Sequence, residues 1–175
     1  MDTNNFLKAL QFSLKWEVGI DKKTGKLRED GGYTDDPTDR GGATKWGISE
    51  KAHPELAPIA DLTFEKACDV YYKEYWQVYQ NFLGFPVDLD TLPLDLAVVM
   101  FDTGVNLEPR RAYGFWRVSV DQKAKDLTKA MLGLRDKHYF DLVTLHSEQK
   151  KYYNGWVNRM NDLKKYVDVI KAEEA

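Results

Sequence analysis

The sequence predicts a mainly α-helical protein with a small β-hairpin near its N-terminal end. Apolar side chains recur at helical spacing through most of the chain, and Thr or Pro residues stand before several of these stripes as helix-start signals. Residues 18–30 break the pattern, because they are charged and carry the turn signal Lys23-Thr24-Gly25 between short β-compatible pieces. We therefore expect a helical core accompanied by one short hairpin.

The first predicted helix, over residues 4–17, ends at a carboxylate. Leu10 and Leu14 lie on its apolar face, and Glu17 stands where that stripe ends. Further helices are expected over 48–53, 63–83, 93–105, 109–118, 124–144 and 147–171. The start and stop signals for these helices are Pro54, Thr63, Pro93 and Pro109.

Composition excludes several classes of protein. The chain has 175 residues and a net charge of -3, which does not favour a nucleic-acid partner. The single cysteine, Cys68, cannot form an intrachain disulfide. The N-terminus lacks a basic region followed by an apolar run, so no signal peptide is expected. No apolar stretch approaches the length that spans a membrane, so no stable membrane association is expected.

No metal site is expected. Counting twelve positions from Asp35 or Asp36 reaches Trp46 or Gly47 where a calcium loop needs a glutamate. The three histidines lack zinc-ligand spacing with the cysteine; they are His53, His138 and His146.

Residues 27–49, LREDGGYTDDPTDRGGATKWGIS, combine glycines, aspartates and a threonine in one polar run. Hydrolysis of a glycosidic bond needs a carboxylic acid that protonates the leaving oxygen, and usually a second carboxylate that activates water or attacks carbon. Glu17 suits the first role, because an apolar setting favours the protonated form. The candidates for the second role are Asp35, Asp36 and Asp39.

A family resemblance follows when residues 18–30 are removed. LKWE then stands directly before GGYTDDPTDRGGATKWGIS, which resembles the opening motif of glycoside hydrolase family 108, the phage-type N-acetylmuramidases. Farther along, LPLDLAVVMFDTGVN is similar to a segment of the predicted peptidoglycan-binding lobe in these proteins. The chain departs from the family at Glu108, where a glycine is usual and a local turn is expected.

The resemblance implies a lysozyme-like α+β fold with the hairpin beside the catalytic cleft. Residues 1–88 would form the catalytic lobe and residues 89–175 the helical lobe that resembles a peptidoglycan-binding domain, packed as one compact unit. It also implies Glu17 as general acid, Asp39 as second carboxylate and Thr44 as the hydroxyl that holds water.

Two questions stay open in the sequence. Glu29 and Asp30 precede the glycine pair directly, so either of them is an alternative to Glu17 as the acid. Their charged neighbours favour an ionised carboxylate, and we therefore expect Glu17 to be the acid. Tyr33 and Trp46 are candidates to stack on sugar rings, although ordinary packing is the competing role for both.

The expected activity is hydrolysis of the β-1,4 bond between N-acetylmuramic acid and N-acetylglucosamine in peptidoglycan, without metal or organic cofactor. The expected protein is a monomeric endolysin that stays in the host cytoplasm until it is released to the cell wall. Three alternatives are a non-catalytic wall-binding or assembly protein, a lytic transglycosylase and a virion-associated enzyme.

Overall fold

The computed structural model describes residues 3–36 and 42–174, and the predicted second carboxylate, Asp39, lies outside the described residues. The regular elements are α1 (Thr3–Glu17), β1 (Thr44–Lys45), β2 (Ile48–Ser49), α2 (Phe64–Tyr71), α3 (Leu94–Leu107), α4 (Pro109–Asp121), α5 (Leu127–Leu145) and α6 (Lys150–Glu173). Single turns of 3-10 helix lie between them at Pro54–Leu56, Ile59–Asp61, Gln77–Asn81, Leu89–Thr91 and Ser147–Gln149. The predicted mainly α-helical fold class is confirmed.

The helices begin where capping chemistry places them. The Thr63 hydroxyl accepts the Lys66 N–H at 3.3 Å before α2, and the Asp126 carboxylate accepts the Lys129 N–H at 2.9 Å before α5. Between α3 and α4, Glu108 has φ of 104°, a region that favours glycine. The turn expected there is thus formed by a residue that strains to adopt it.

The helix predicted over 48–53 is wrong. β1 and β2 pair antiparallel instead, with Thr44 opposite Ser49, around a two-residue turn at Trp46 and Gly47. Both turn residues have positive φ, 56° and 74°, which is the backbone geometry that joins two strands most tightly. The Asn-Gly signal usual for this turn is absent from the sequence, and a tryptophan adopts the first position.

Two other predicted elements are altered. The helix expected over 63–83 ends as α-helix at Tyr71 and continues as a π turn at Tyr72–Trp76 followed by 3-10 helix. Trp76 is fully buried and its indole N–H donates to Asp90 at 3.0 Å, so burial of this large side chain overrides the regular helical register. The hairpin expected over 18–30 is reduced to one antiparallel bridge, between Ile20 and Leu27.

The chain folds into two compact units, which we call the hairpin unit (Leu10–Glu74) and the helical unit (Met1–Ala9 with Tyr75–Ala175). These boundaries differ from the predicted division at residue 88. Trp76 explains part of the difference, because its ring packs edge-on against Phe6 at 5.6 Å between centroids, within the helical unit.

α3 is the central helix of the helical unit. Every residue from 94 to 104 is buried, so the helix is covered on all sides. It packs against α4, α5 and α6. A helix in this position has no solvent-facing side for charged residues. It nevertheless carries Asp102, which is completely buried.

Asp102 and two arginines form a buried ion cluster that we call the Asp102 cluster. Its carboxylate accepts from Arg135 Nη1 at 2.8 Å and from Arg159 Nη2 at 2.7 Å, which ties α3 to α5 and α6. Burial alone would raise the pKa of Asp102, but the two guanidinium groups outweigh it and lower the pKa to about 2. The carboxylate is therefore ionised at neutral pH, and each partner depends on the others for its charge balance.

We expect Asp102→Asn to lower the free energy of unfolding at pH 7 by about 3–5 kcal/mol, because two buried guanidinium groups lose their counter-charge. A carboxyl with a lowered folded-state pKa stabilises the protein above its unfolded-state pKa, near 4, and loses that contribution as pH falls towards about 2. Urea unfolding of parent and variant between pH 2 and pH 7 measures both effects.

The matched control is Asp121→Asn, which removes the Arg117–Asp121 pair on the surface of α4, where the Asp121 side chain is 63% exposed. An exposed pair of this kind contributes about 0–1 kcal/mol. Equal losses in the two variants would contradict the importance given to the buried cluster.

Candidate active site

The glycine pair Gly31-Gly32 packs directly on the backbone that follows Glu17. A Cβ atom at Gly32 would lie 3.1 Å from the Val18 carbonyl oxygen and 3.3 Å from Val18 Cα, and Gly32 has φ of 65°. Only glycine combines that conformation with so close an approach. The intervening residues 19–30, which we call the excursion, therefore form a loop whose two ends lie side by side.

The excursion is closed by its own polar groups. The Arg28 N–H donates to the Gly19 carbonyl at 3.4 Å, so its two ends meet. At its tip, the Asp21 carboxylate accepts the N–H groups of Lys23 and Thr24 at 2.7 and 3.0 Å. The excursion is thus a self-contained surface turn that adds length without separating Glu17 from the glycine pair.

Asp30, one alternative to Glu17 as the acid, is held by hydrogen bonds within this turn. Its carboxylate accepts from Arg28 Nε at 3.0 Å, from Arg28 Nη2 at 2.6 Å and from the Gly32 N–H at 2.9 Å. The Arg28 hydrogen bonds, followed by the Gly32 N–H, hold the pKa of Asp30 below its usual range. A carboxylate held ionised by three donors is poorly suited to donate a proton. Glu29, the other alternative, is exposed on the same turn.

Glu17 lies against the turn of the β1–β2 hairpin. A Cβ atom at Gly47 would lie 3.1 Å from Glu17 Cβ and 2.6 Å from the Tyr71 hydroxyl oxygen. That hydroxyl donates a hydrogen bond to the Trp46 carbonyl at 3.0 Å and so attaches the turn to α2. Gly47 is the residue that allows helix α1, the hairpin and α2 to meet at one point.

The setting of Glu17 differs from the apolar enclosure that the sequence predicts. Its side chain is exposed among the described residues, because the last turn of α1 projects beyond the apolar stripe formed by Leu10 and Leu14. Gly47 beside it is also exposed. The carboxyl group and the bare backbone of the turn together present an open surface that a polymer chain can cover.

Thr44 belongs to the same hairpin. It is half-buried in β1, exchanges two backbone hydrogen bonds with Thr34 at 2.9 and 2.8 Å, and lies opposite Ser49. Among the described residues, its hydroxyl makes one long hydrogen bond, 3.4 Å, to the Gly42 carbonyl. The hydroxyl is therefore placed by a strand and is weakly engaged by the described residues.

The two predicted stacking residues separate. Tyr33 is 37% exposed and keeps an open side. Trp46 is 8% exposed, and its ring packs over Gly31, where a Cβ would lie 2.6 Å away, and edge-on against Phe64 at 5.1 Å. The expectation of an open stacking face at Trp46 is corrected, because the protein itself covers that face.

Sequence reasoning missed the roles of Gly47 and Tyr71. The helical stripe assigns Tyr71 to the core, which is correct for its 3% exposure, but the stripe does not reveal the bond from its hydroxyl to the hairpin. The Gly-Ile pair after Trp46 is the only local signal for this turn. Within residues 3–36 and 42–174, no group of three or more His, Cys, Asp or Glu side chains is arranged to hold a metal ion.

Comparison with known proteins gives a family match over part of the chain and a structure of similar fold. Residues 26–107 match the family model described as Glycosyl hydrolase 108. The structure titled "Structure of Brucella abortus SagA" superposes with a TM-score of 0.63 at 21% identity, over 96% of each chain. No curated protein matches the chain. The structural likeness supports the lysozyme-like, mainly α-helical fold.

The matched segment has a consequence for the candidate acids. It begins at Lys26, so Glu17 lies ahead of it, whereas Glu29, Asp30 and Thr44 lie inside it. By position in the sequence, the match favours Glu29 or Asp30 as the general acid. The packing of Gly32 on Val18 in the folded protein favours Glu17 in that role.

We expect Gly47→Ala to lower the free energy of unfolding by about 2–4 kcal/mol, because the new methyl group meets the Tyr71 hydroxyl and Glu17 at a backbone position with φ of 74°. Adding Tyr71→Phe removes the closest contact, so the double variant should lose less stability than the sum of the two single variants. Thermal unfolding of the four proteins measures this coupling.

Gly42→Ala is the matched control. Gly42 has φ of 72° and nothing within 4 Å of a Cβ, so the substitution adds backbone strain alone, about 1–2 kcal/mol. If Gly42→Ala and Gly47→Ala cost the same, Gly47 is not the tight meeting point described above.

Proposed function

We propose that the chain is a glycoside hydrolase that cleaves the β-1,4 bond between N-acetylmuramic acid and N-acetylglucosamine in peptidoglycan, because residues 26–107 match the model of glycosyl hydrolase family 108. The observation that carries the proposal is the contact of Gly32 with Val18. It brings Gly32 against the residue that follows Glu17, although the twelve residues of the excursion intervene in the sequence. This proximity supports Glu17 as the acid that acts together with the glycine-rich run.

Glu17 is proposed as the general acid. It projects from the end of α1 over the exposed backbone of Gly47, where a sugar ring can approach without meeting a side chain. A carboxyl group that a sugar ring covers is more readily held in its protonated form than one in water, since desolvation disfavours the charge. Binding of substrate would then create the enclosed setting that the free protein lacks, and the proton passes to the leaving oxygen.

The water side of the bond is proposed to belong to Asp39 and Thr44. Thr44 offers a weakly engaged hydroxyl on β1, the strand that leads into the Trp46-Gly47 turn beside Glu17. A short side chain on a paired strand holds a water molecule with little loss of freedom. Asp39 is proposed as the second carboxylate from its position in the family motif.

The proposal includes the wider role of an endolysin. The protein would act as a monomer on peptidoglycan and lyse the bacterial cell after release from the host cytoplasm. Helices α3 to α6 would serve as the peptidoglycan-binding part. The match to the glycosyl hydrolase family supports the substrate class, and these further assignments follow from the resemblance of the motifs.

Glu17→Gln should lower kcat on purified peptidoglycan by roughly 10²–10⁴-fold, the range for loss of a positioned general acid. Gln keeps the size of the side chain, so the thermal unfolding midpoint should stay within about 2 °C. The assay follows turbidity together with the release of reducing ends, and mass spectrometry of the products separates hydrolysis from a transglycosylase, which forms an anhydro sugar.

Glu29→Gln is the paired variant, and it should retain most of the activity because Glu29 belongs to the exposed turn of the excursion. Inactive Glu29→Gln with active Glu17→Gln would transfer the acid role to Glu29. Full activity in both variants would leave the proposed chemistry without its acid.

Thr44→Ser should retain activity at least about tenfold better than Thr44→Val, the difference expected for one hydrogen bond of about 1.4 kcal/mol. Both replacements fit an extended strand, and Val keeps the β-branched shape, so stability should be nearly equal. Steady-state rates on soluble peptidoglycan fragments measure the difference. Equal rates in the two variants would remove the hydroxyl from the mechanism.

A further inference from the structure

An exposed apolar tip projects from the helical unit at residues 82–85, Phe82-Leu83-Gly84-Phe85. Leu83 is 98% exposed and Phe85 is 57% exposed, the largest exposure pair among neighbouring apolar side chains in the described ranges. Gly84 has φ of 97°, which turns the backbone between them. A large apolar side chain left almost wholly in water has a cost, and a contiguous apolar patch of this kind is typical of an interaction site.

The tip is held in place by α4. Phe82 packs edge-on against Tyr113 at 4.8 Å between ring centroids, and the Tyr113 hydroxyl donates to the Phe85 carbonyl at 3.1 Å. The Arg117 guanidinium lies 4.0 Å from the centre of the Phe85 ring. These contacts fix the base of the tip while Leu83 points away from them, so the protein presents the apolar side chains on a supported platform.

Two arginines of α4 lie beside the tip. Arg110 lines a surface hollow together with Leu83 and Tyr113, and Arg117 lies over the Phe85 ring. Within the part of the chain that the structure describes, Arg110 forms no salt bridge, whereas Arg117 pairs with Asp121 at 3.2 Å. Arg110 is thus available to an anionic partner.

We propose that this surface, the tip with Arg110, docks reversibly on an anionic phospholipid membrane. Leu83 and Phe85 would enter the boundary between headgroups and acyl chains, and the Arg110 guanidinium group would bind a lipid phosphate. Two apolar side chains are too few for a stable interface between proteins, which buries about 800 Å² on each partner. A bilayer accepts such a small wedge without a complementary pocket.

The contact is peripheral and weak. Burial of one Leu or Phe side chain corresponds to roughly tenfold or more in partitioning, and one arginine near an anionic surface to roughly fivefold. No helix within the described residues is long and apolar enough to cross a membrane. The docking is independent of the proposed hydrolysis, since the tip belongs to the helical unit and the candidate active site to the hairpin unit.

The experiment is sedimentation of the full chain with vesicles made of equal parts phosphatidylglycerol and phosphatidylcholine, at low salt. Leu83→Glu with Phe85→Glu should lower the bound-to-free ratio by at least about 100-fold, since each side chain contributes about tenfold or more. Arg110→Gln should lower it by about fivefold, and added salt or pure phosphatidylcholine vesicles should erase that difference. Release of reducing ends from soluble peptidoglycan fragments should be the same in the parent and in Leu83→Glu with Phe85→Glu, because both residues lie outside the helices proposed to bind peptidoglycan.

Matched controls exist in the same unit. Leu145 is 76% exposed and Phe140 is 58% exposed on α5, so Leu145→Glu with Phe140→Glu makes the same chemical change on another surface. Lys123→Gln removes the same charge as Arg110→Gln. Both controls should bind vesicles as the parent does, and circular dichroism should show the parent's helix content in every variant.

Three outcomes would overturn the proposal. The parent does not sediment with anionic vesicles, or it binds phosphatidylcholine equally well, or the controls lose as much binding as the tip variants. A concentration-dependent dimer that dissociates in the Leu83→Glu variant would assign the tip to a second copy of the chain instead of lipid.

Discussion

The candidate active site depends on one close approach of backbone to backbone, Gly32 on Val18. A Cβ at Gly32 would lie 3.1 Å from the Val18 carbonyl oxygen, so any other residue would push the glycine-rich loop away from the end of α1. The same contact returns the chain after the excursion to the point where it left. The excursion is closed by its own hydrogen bonds, which involve Asp21 and Arg28. A chain can carry such an addition between Glu17 and the glycine pair because the glycine pair is positioned by packing and not by chain length.

A second contact attaches the hairpin to that loop. The Trp46 N–H donates to the Gly31 carbonyl at 2.7 Å, and the Trp46 ring covers Gly31, where a Cβ would lie 2.6 Å away. Trp46 therefore adopts its positive φ of 56° at a cost that burial of the indole ring offsets. Gly31, Gly32 and Gly47 each stand where a side chain would separate two parts of the site. At these three positions, glycine reflects close packing around Glu17 more than freedom of the loop.

The sequence reveals most of the helices and little of the hairpin. Thr63, Asp126 and the two helix-opening prolines act through local chemistry, so the starts of α2 to α5 can be read from neighbouring residues. The Trp46-Gly47 turn needs the hydroxyl of Tyr71 and the bare backbone of Gly31, both distant in sequence, and a local pattern does not contain them. Residues 48–53 were expected to be helical for the same reason. The exposure of Glu17 was also unpredictable, because helical spacing gives the direction of a side chain and not the extent of the protein beyond it.

Sequence position and spatial position give different candidates for the general acid, and Asp30 shows why. Its position before the glycine pair is the one that the matched segment includes, yet Arg28 and the Gly32 N–H hold its carboxylate ionised. Asp30 thereby shapes the turn that brings Gly32 onto Val18. Its hydrogen bonds require an ionised carboxylate, whereas a general acid must be protonated. Glu17 lies on the other side of the contact that Asp30 helps to form. Asp30, which precedes the glycine pair in sequence, thus supports the turn, and Glu17, the carboxyl group beside Gly47, is the one that we propose donates a proton to a bound sugar.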